Sequence, residues 1–300
     1  METNKKIITI IGLGLIGSSI LRALDFYMKN HFFIKVYDKN TKYLDIIKSL
    51  KIANETCSSI ELSVKNSDLI ILAVPVGAMI EVGSSIAPHL KKGAIVTDTG
   101  STKISVIKDL SPFIPEGTFF IPSHPLAGTE HSGPNAGFHN LFRGRFWIII
   151  GDKNNKQGMF LKNLFKTFGS KVEFMDANYH DKILAITSHL PHLIAYSIVD
   201  TASNLENDLK NDVIRYSATG FRDFTRLASS DPTMWRDVFL NNSEAVLEML
   251  QRFNEDISAL QKLIRQKRSN ELFDFFNKSK KIRNKIIEAK QHLPEELKLK

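Results

Sequence analysis

The chain of 300 residues lacks the features of disulfide-stapled, cysteine-metal and membrane-spanning proteins. Its single cysteine, Cys57, excludes an internal disulfide framework and a metal site made of cysteines alone. We find no apolar run near the roughly 20 residues that a membrane-crossing helix needs. Nor do we find an internal repeat or a signal peptide, since Met1–Lys6 lead directly into an apolar strand pattern. We therefore expect a cytoplasmic protein in a reducing compartment, with no membrane partner.

Excess charge is confined to the end of the chain. The formal net charge is +8, and residues 261–300 hold 12 Lys and Arg against 5 Asp and Glu. These basic residues share a helical pattern with Leu272, Phe273, Phe275 and Phe276. That arrangement favours the solvated face of an amphipathic helix over a nucleic-acid surface, so we expect no nucleic-acid partner.

Three glycines follow the first apolar strand pattern. Ile7–Ile11 runs into Gly12, Gly14 and Gly17, and helical spacing begins directly afterwards. In such a turn the first glycine permits the bend, the second lets a pyrophosphate approach the backbone, and the third lets helix and strand pack closely. The alternative is a purely structural βα turn.

A second strand pattern, Phe33–Tyr37, ends in Asp38, which lies 21 residues beyond Gly17. A carboxylate at about that offset is typical of binding to ribose hydroxyls. It favours NAD over NADP, because a 2′-phosphate would meet its negative charge. The candidate cofactor-binding residues are Gly12, Leu13, Gly14, Leu15, Ile16, Gly17, Asp38, Val74 and Pro75.

Strand and helix patterns alternate through the first half. The predicted strands are Ile7–Ile11, Phe33–Tyr37, Asp68–Pro75, Ala94–Thr99, Phe119–Pro122, Phe146–Ile150 and Val172–Met175. This alternation predicts an α/β fold with a Rossmann-type, doubly wound parallel sheet over residues 1–176. Ligands of such sheets bind beyond the carboxyl ends of the strands.

Residues 177–300 show helical patterns only, at about 179–205, 235–263 and 271–290. Pro191 predicts a kink in the first of these helices. The long apolar face of the second has more to bury than a small domain covers, so we expect an all-α domain that forms a homodimer. An intrachain bundle is the alternative.

Residues suited to chemistry follow two of the predicted strands. Asp98–Lys103 carries Ser101, a hydrogen-bond donor that could otherwise cap the next helix, as could Thr102. Ser123–Gly133 carries His124, flanked by Pro122 and Pro125. A neutral histidine beside a nicotinamide could accept the hydroxyl proton in an alcohol oxidation, although a lone histidine is often only a satisfied polar residue.

The helical half adds further polar groups. His189 and His192 are three residues apart, which would also suit a metal pair, but no nearby cysteine or carboxylate completes a ligand set, so we predict no metal. Arg222 and Arg226 lie at helical i, i+4 spacing and offer planar forks for a carboxylate. A surface salt bridge is the alternative for either arginine.

Together these motifs resemble the prephenate dehydrogenase family of tyrosine biosynthesis. The resemblance covers nearly the whole chain, because the glycine turn, Asp98–Lys103, Ser123–Gly128 with Thr129 and Glu130, His189–His192 and Gly220–Arg226 occur in the family's order. It implies a nucleotide-binding domain, a helical dimerisation domain and NAD-dependent oxidative decarboxylation of prephenate to 4-hydroxyphenylpyruvate.

The resemblance also implies roles for single residues. His124 matches the catalytic histidine that bonds the ring hydroxyl, and Ser101 matches the serine that supports it. The implied substrate-binding residues are Arg226, His192, Thr129, Glu130, His180 and Trp235.

Other activities stay open at this point. An arogenate dehydrogenase or a cyclohexadienyl dehydrogenase that takes both substrates is the closest alternative, with Glu130 a candidate partner for the arogenate ammonium group. A 3-hydroxyacid dehydrogenase would need a catalytic lysine in the helical domain, and it would leave Ser123–Pro125 unexplained. A non-catalytic NAD-binding sensor would not need Ser101, His124 and Arg226 together.

Overall fold

The computed structural model describes residues 5–205, 212–213 and 215–288. The chain folds into two compact units, Met1–Ser243 and Glu244–Lys300. The predicted boundary between residues 176 and 177 stays a prediction; it coincides with the change from the last described strand to a helix.

A parallel sheet forms the first half of the first unit. Its strands are β1 (Ile7–Ile11), β2 (Phe33–Tyr37), β3 (Glu55–Thr56), β4 (Leu69–Leu72), β5 (Ile95–Asp98) and β6 (Phe119–Phe120). Their order is β3-β2-β1-β4-β5-β6 with every pair parallel, which is the order of dinucleotide-binding sheets. The predicted Rossmann-type fold is therefore confirmed. Sequence reasoning missed β3, because two polar residues give no strand pattern.

Both faces of this sheet are buried, as the continuous apolar runs predicted. Within β4, Leu69 and Ile71 join one hydrophobic cluster while Ile70 and Leu72 join the other. Successive side chains of a strand point to opposite faces, so such a strand needs apolar residues at every position. The connecting helices are α1 (Leu15–Tyr27), α2 (Thr41–Leu50), α3 (Ile60–Val64), α4 (Met79–Ile86), α5 (Ile104–Leu110) and α6 (Lys156–Thr167).

The sixth and seventh predicted strands do not continue the first sheet. They are β8 (Phe146–Ile150) and β9 (Lys171–Met175), in a separate sheet of order β7-β8-β9. Its first strand, β7 (Ser123–Pro125), runs antiparallel to β8 and was not predicted. Pro122 precedes this strand and Pro125 is its last residue, and prolines lack the N–H group that would extend the pairing. The strand is therefore too short to show alternation. The single parallel sheet of seven strands was therefore wrong in this detail.

Helices follow β9. They are α7 (Ala177–Leu184), α8 (Leu190–Ser203), α9 (Thr219–Ala228), α10 (Pro232–Asn241), α11 (Ser243–Arg265) and α12 (Ser269–Glu288). A π-helical turn, Ala185–His189, joins α7 to α8. Pro191 lies directly after it. Proline has no N–H group to donate to the carbonyl four residues earlier, and the wider π-helical turn accommodates this missing bond. The irregular turn thus lies just before Pro191, the residue at which a kink was predicted. The predicted helix end at Lys290 lies outside the described residues.

The run Ala177–Ser203 is long and apolar enough, by length and composition alone, to cross a bilayer. It nevertheless contains His180, Asp181 and His189, all fully or almost fully buried in hydrogen bonds to other elements of the first unit. Those bonds are typical of a helix in a protein core, where buried polar groups need protein partners.

Candidate active site

The glycine turn between β1 and α1 leaves room for a ligand at one position only. A Cβ on Gly12, whose φ is +93°, would lie 2.5 Å from the carbonyl oxygen of Ala73. A Cβ on Gly17 would lie 1.9 Å from the carbonyl oxygen of Gly12. A Cβ on Gly14 would meet nothing within 4 Å. Gly12 and Gly17 are thus required by the fold itself, whereas Gly14 faces open space.

The start of α1 completes this cradle. Gly14 is its N-cap and supplies no side-chain hydrogen bond, so the positive end of the helix is left to other partners. Asp38 follows β2, and its carboxylate accepts hydrogen bonds from Leu13 N at 2.6 Å and Asn40 N at 2.8 Å. This chemistry suits a dinucleotide: donors for a pyrophosphate, and an acidic group for ribose.

The other predicted cofactor residues lie around the same turn. Leu15 and Ile16 form the first turn of α1 and are half-buried. Val74 and Pro75 follow β4, the sheet neighbour of β1, so they lie at the same edge of the sheet.

Two glycine variants should separate fold from cofactor binding. Gly17→Ala forces a backbone contact and should lower the free energy of unfolding by about 3 kcal/mol, as overpacking does. Gly14→Ala adds a methyl group where the protein leaves room, so its melting temperature should match the wild type, while the dissociation constant for NAD should rise about tenfold. Thermal unfolding and NAD titration check both. If a folded Gly14→Ala variant bound NAD with the same affinity as the wild type, this turn would not be the NAD-binding site.

β7 is tied to the end of β5 by buried hydrogen bonds. The Ser123 hydroxyl donates to the carbonyl oxygen of Asp98 at 2.7 Å, and the indole N–H of Trp147 donates to Ser123 Oγ at 3.1 Å. The carboxylate of Asp98 forms an ion pair with the fully buried Lys103, whose ammonium also donates to the carbonyl oxygen of Ser123 at 2.8 Å. The backbone that carries the next residue, His124, is thereby fixed.

His124 is 8% exposed, and its Nδ1 lies 2.9 Å from Nε2 of His180. Its Nε2 makes no hydrogen bond within the described part of the chain. Burial, followed by the nearby His180 and Lys103 side chains, holds the pKa of His124 well below its ordinary value. The ring is therefore neutral near pH 7 and can accept a proton.

His180, one of the predicted substrate-binding residues, lies in the interior of the protein beside His124. It is fully buried, and its Nδ1 lies 2.7 Å from the carboxylate of Asp181. That carboxylate accepts the backbone N–H groups of Lys103 and Ile104 at 2.8 and 2.9 Å. Asp181, from α7, therefore caps α5 across a large sequence separation, a role that no local spacing could reveal.

Capping of α5 by Ser101 or Thr102, the alternative role that the sequence allowed, is not observed, since Lys103 is the N-cap residue and its side chain makes no capping hydrogen bond. The hydroxyl groups of Thr102 and Ser105 lie 2.8 Å apart. Ser101 is half-buried in the loop after β5, and among the described residues its hydroxyl makes no hydrogen bond to His124.

A second cluster gathers on α8, α9 and α10. The rings of His192 and Trp235 stack with centroids 3.7 Å apart, and His189 meets Trp235 edge-on at 6.1 Å. Burial has the largest effect on the pKa of His192 and lowers it, while the hydrogen bond to the Ser188 backbone raises it. The positive charge of Arg226 lowers it further. The predicted residues His192, Arg226 and Trp235 are thus brought together, with Arg226 exposed.

Two buried donor atoms of this cluster have no partner in the described structure: Nε2 of His189 and Nε1 of Trp235. Nδ1 of His189 lies 3.1 Å from the amide nitrogen of Asn242, which donates to it and leaves the ring proton on Nε2. Unpaired buried donors are costly, so a bound polar group here would be stabilised. Sequence reasoning missed Asn242, because no motif contains it.

Thr129 and Glu130 are both exposed in the loop after β7. The Thr129 hydroxyl accepts a hydrogen bond from His131 N at 3.2 Å. Within the described structure, neither side chain makes a hydrogen bond to His124. Among the described residues, no group of three or more His, Cys, Asp and Glu side chains could hold a metal ion.

The buried histidines predict a loss of stability in acid. Burial lowers the pKa of His189 to about 4 from the 6.5 of a free histidine. Between those values the unfolded chain binds a proton that the folded chain refuses, so stability falls as pH falls, by about 1.4 kcal/mol per pH unit at most for this residue. Urea unfolding measured between about pH 7 and pH 4 should show this dependence. His189→Asn, which keeps an acceptor for Asn242, should make this slope smaller by the share of one histidine, while the other buried histidines still contribute. An unchanged slope would contradict this assignment.

Comparison with known families extends over both halves of the chain. Residues 24–174 match the family described as prephenate dehydrogenase, nucleotide-binding domain, and residues 176–278 match prephenate dehydrogenase, dimerization domain. The chain belongs to the prephenate dehydrogenase family. It is accordingly an NAD-dependent oxidoreductase, and the predicted family, cofactor and enzyme class are confirmed.

Individual members of the family are similar over most of their length. A cyclohexadienyl dehydrogenase of Zymomonas mobilis is 40% identical over 280 residues, covering 93% of this chain and 95% of the relative. A prephenate dehydrogenase of Bacillus subtilis is 32% identical, with 95% and 77% covered. A crystal structure of Aquifex aeolicus prephenate dehydrogenase in complex with hydroxyphenyl propionate and NAD+ has a TM-score of 0.86 at 32% identity, with 95% and 100% covered.

Proposed function

We propose that this chain oxidises and decarboxylates prephenate to 4-hydroxyphenylpyruvate, with His124 as the base. The observation that carries the proposal is the state of His124, which is buried and neutral on β7, beside the end of β5. Its Nδ1 is hydrogen-bonded to His180, whereas its Nε2 has no protein partner in the described structure. Prephenate carries a hydroxyl group at C4 and a carboxylate at C1 of a cyclohexadiene ring. His124 accepts the hydroxyl proton as C4 loses its hydride, and loss of CO₂ from C1 leaves the electron pair that makes the ring aromatic. His124 then returns the proton to the oxygen, which gives the hydroxyl group of 4-hydroxyphenylpyruvate.

The cofactor residues that we propose are those of the glycine cradle. The backbone at Gly12–Gly17 and the start of α1 would hold the pyrophosphate, Asp38 the ribose hydroxyls, and Val74 and Pro75 would border the site. When bound, NAD supplies the hydride acceptor of the reaction.

Charged and aromatic residues would orient the substrate. Arg226 is exposed and offers a two-pronged fork to a carboxylate, next to the stacked rings of His192 and Trp235. We propose that these three bind the substrate, while Thr129 and Glu130 border it from the loop after β7. Ser101, half-buried after β5, would donate to the substrate or to His124 once the substrate is bound.

Arogenate is the second candidate substrate, favoured by the 40% identity to a relative named cyclohexadienyl dehydrogenase. Steady-state rates of NADH formation with each substrate in turn would decide. We expect a higher kcat/KM for prephenate. A higher value for arogenate that falls selectively in Glu130→Gln would instead assign Glu130 to the ammonium group and make arogenate the substrate.

We also propose a cytoplasmic homodimer built from the helical region. The dimerization-domain match supports it, as do large apolar side chains left open on the second unit, among them Leu247 (61% exposed) and Phe273 (68% exposed). Light scattering coupled to gel filtration should give twice the 33.9 kDa of one chain. A mass of one chain at micromolar concentration would contradict the dimer.

A further inference from the structure

A continuous line of hydrogen bonds connects the N-terminus of α5 to His124. Two backbone N–H groups, of Lys103 and Ile104, donate to Asp181. Asp181 Oδ1 lies 2.7 Å from His180 Nδ1, and His180 Nε2 lies 2.9 Å from His124 Nδ1. His180 and Asp181 are 0% and 1% exposed, so water does not interrupt the line.

The Asp181 carboxylate, at one end of this line, determines which nitrogen of each histidine ring carries the proton. A carboxylate that already receives two N–H groups can only accept from His180, so the His180 proton is on Nδ1. A neutral His180 then has its lone pair on Nε2, and His124 must donate to it from Nδ1. The lone pair of His124 is thereby on Nε2, the nitrogen without a partner among the described residues.

We propose that His180 and Asp181 are positioning residues that hold His124 in its Nδ1–H tautomer and share the positive charge when His124 accepts a proton. This inference rests on the function proposed above. When Nε2 of His124 gains the substrate proton, its Nδ1–H can pass to Nε2 of His180. His180 then carries the charge beside the Asp181 carboxylate. The reverse transfer restores both rings when His124 returns the proton to the substrate oxygen, which becomes the phenol hydroxyl group of the product.

If His180 and Asp181 served only to cap α5, His180 would not be needed. Asp181 satisfies the helix end directly, whereas His180 adds a buried polar ring between the cap and the base. Burying such a ring costs free energy unless both nitrogens are bonded, and here the two bonds lead to Asp181 and to His124.

Two substitutions at position 180 separate orientation from packing. His180→Leu removes the acceptor and should lower kcat about 10²-fold, with KM for NAD and for the substrate nearly unchanged. His180→Gln can accept from His124 with its amide oxygen and donate to Asp181, so it should recover much of that loss, although it cannot carry a proton. Equal kcat in wild type and a folded His180→Leu would overturn the proposal, and so would equal losses in both variants.

A measurement without turnover tests the tautomer directly. Nitrogen-15 NMR of the histidine rings distinguishes Nδ1–H from Nε2–H, and His124→Asn identifies the His124 signals among the nine histidines. We expect Nδ1–H on His124 in the wild type and in His180→Gln. Nε2–H on wild-type His124 would overturn the proposal. Absence of turnover with either substrate, despite an Nδ1–H signal, would instead refute the proposed function and leave the hydrogen-bonded line intact.

Discussion

His124→Asn is expected to lower kcat by about 10²–10⁴-fold, the contribution of a positioned proton acceptor. The variant keeps a side chain on β7 that can hydrogen bond to His180, but it has no basic nitrogen at the position of Nε2. Because the surrounding bonds of Ser123 to Asp98 and Trp147 are untouched, the fold should survive. Steady-state kinetics with circular dichroism as a fold check measure this.

A matched control comes from His31, which is exposed and lies before β2. His31→Asn should leave kcat and KM unchanged. If the two variants retain the same kcat, the proton acceptor lies elsewhere. A loss in His124→Asn that appears only in the KM for NAD would assign His124 to cofactor binding instead of proton transfer.

Arg226→Ala is expected to raise KM for the substrate about 10–100-fold, because a charge-assisted hydrogen bond to a carboxylate contributes about 1.5–3 kcal/mol. The NAD affinity should not change, since Arg226 lies on α9 beside His192 and not at the glycine cradle. Initial rates over a range of substrate concentrations, with NAD in excess, measure the effect.

Arg226→Lys and Arg252→Ala make this result specific. Lysine keeps the charge but loses the fork, so it should recover only part of the affinity. Arg252 pairs with Glu248 on α11, so its removal deletes one positive charge that already has a partner, and it should leave KM unchanged. Equal KM values in wild type and Arg226→Ala would exclude Arg226 from substrate binding.

The parts of the fold that the sequence predicted correctly are formed by residues close together in the chain. Ile7–Ile11, the three glycines and Asp38 form one contiguous strand, turn, helix and strand, and each residue type has a steric or electrostatic reason to be there. Buried runs such as Leu69–Leu72 predicted a sheet covered on both faces, as observed.

The errors concern contacts between distant segments. β7 is three residues long and bounded by prolines, so only its pairing with β8 identifies it as a strand. The capping of α5 by Asp181 spans about 80 residues, and the sequence offered Ser101 and Thr102 as closer candidates. Nor does any spacing in the sequence show that the ring of His180 meets His124. In each case tertiary packing decided the outcome.

The most direct test of the account is the formation of NADH when purified protein is mixed with NAD and prephenate. We predict that NADH absorbance rises at the same rate as CO₂ and 4-hydroxyphenylpyruvate are formed. In His124→Asn, formation of all three products should be nearly abolished. Tight NAD binding without turnover of prephenate or arogenate would contradict the account, because the cradle would then serve a protein in which His124 has no proton to accept.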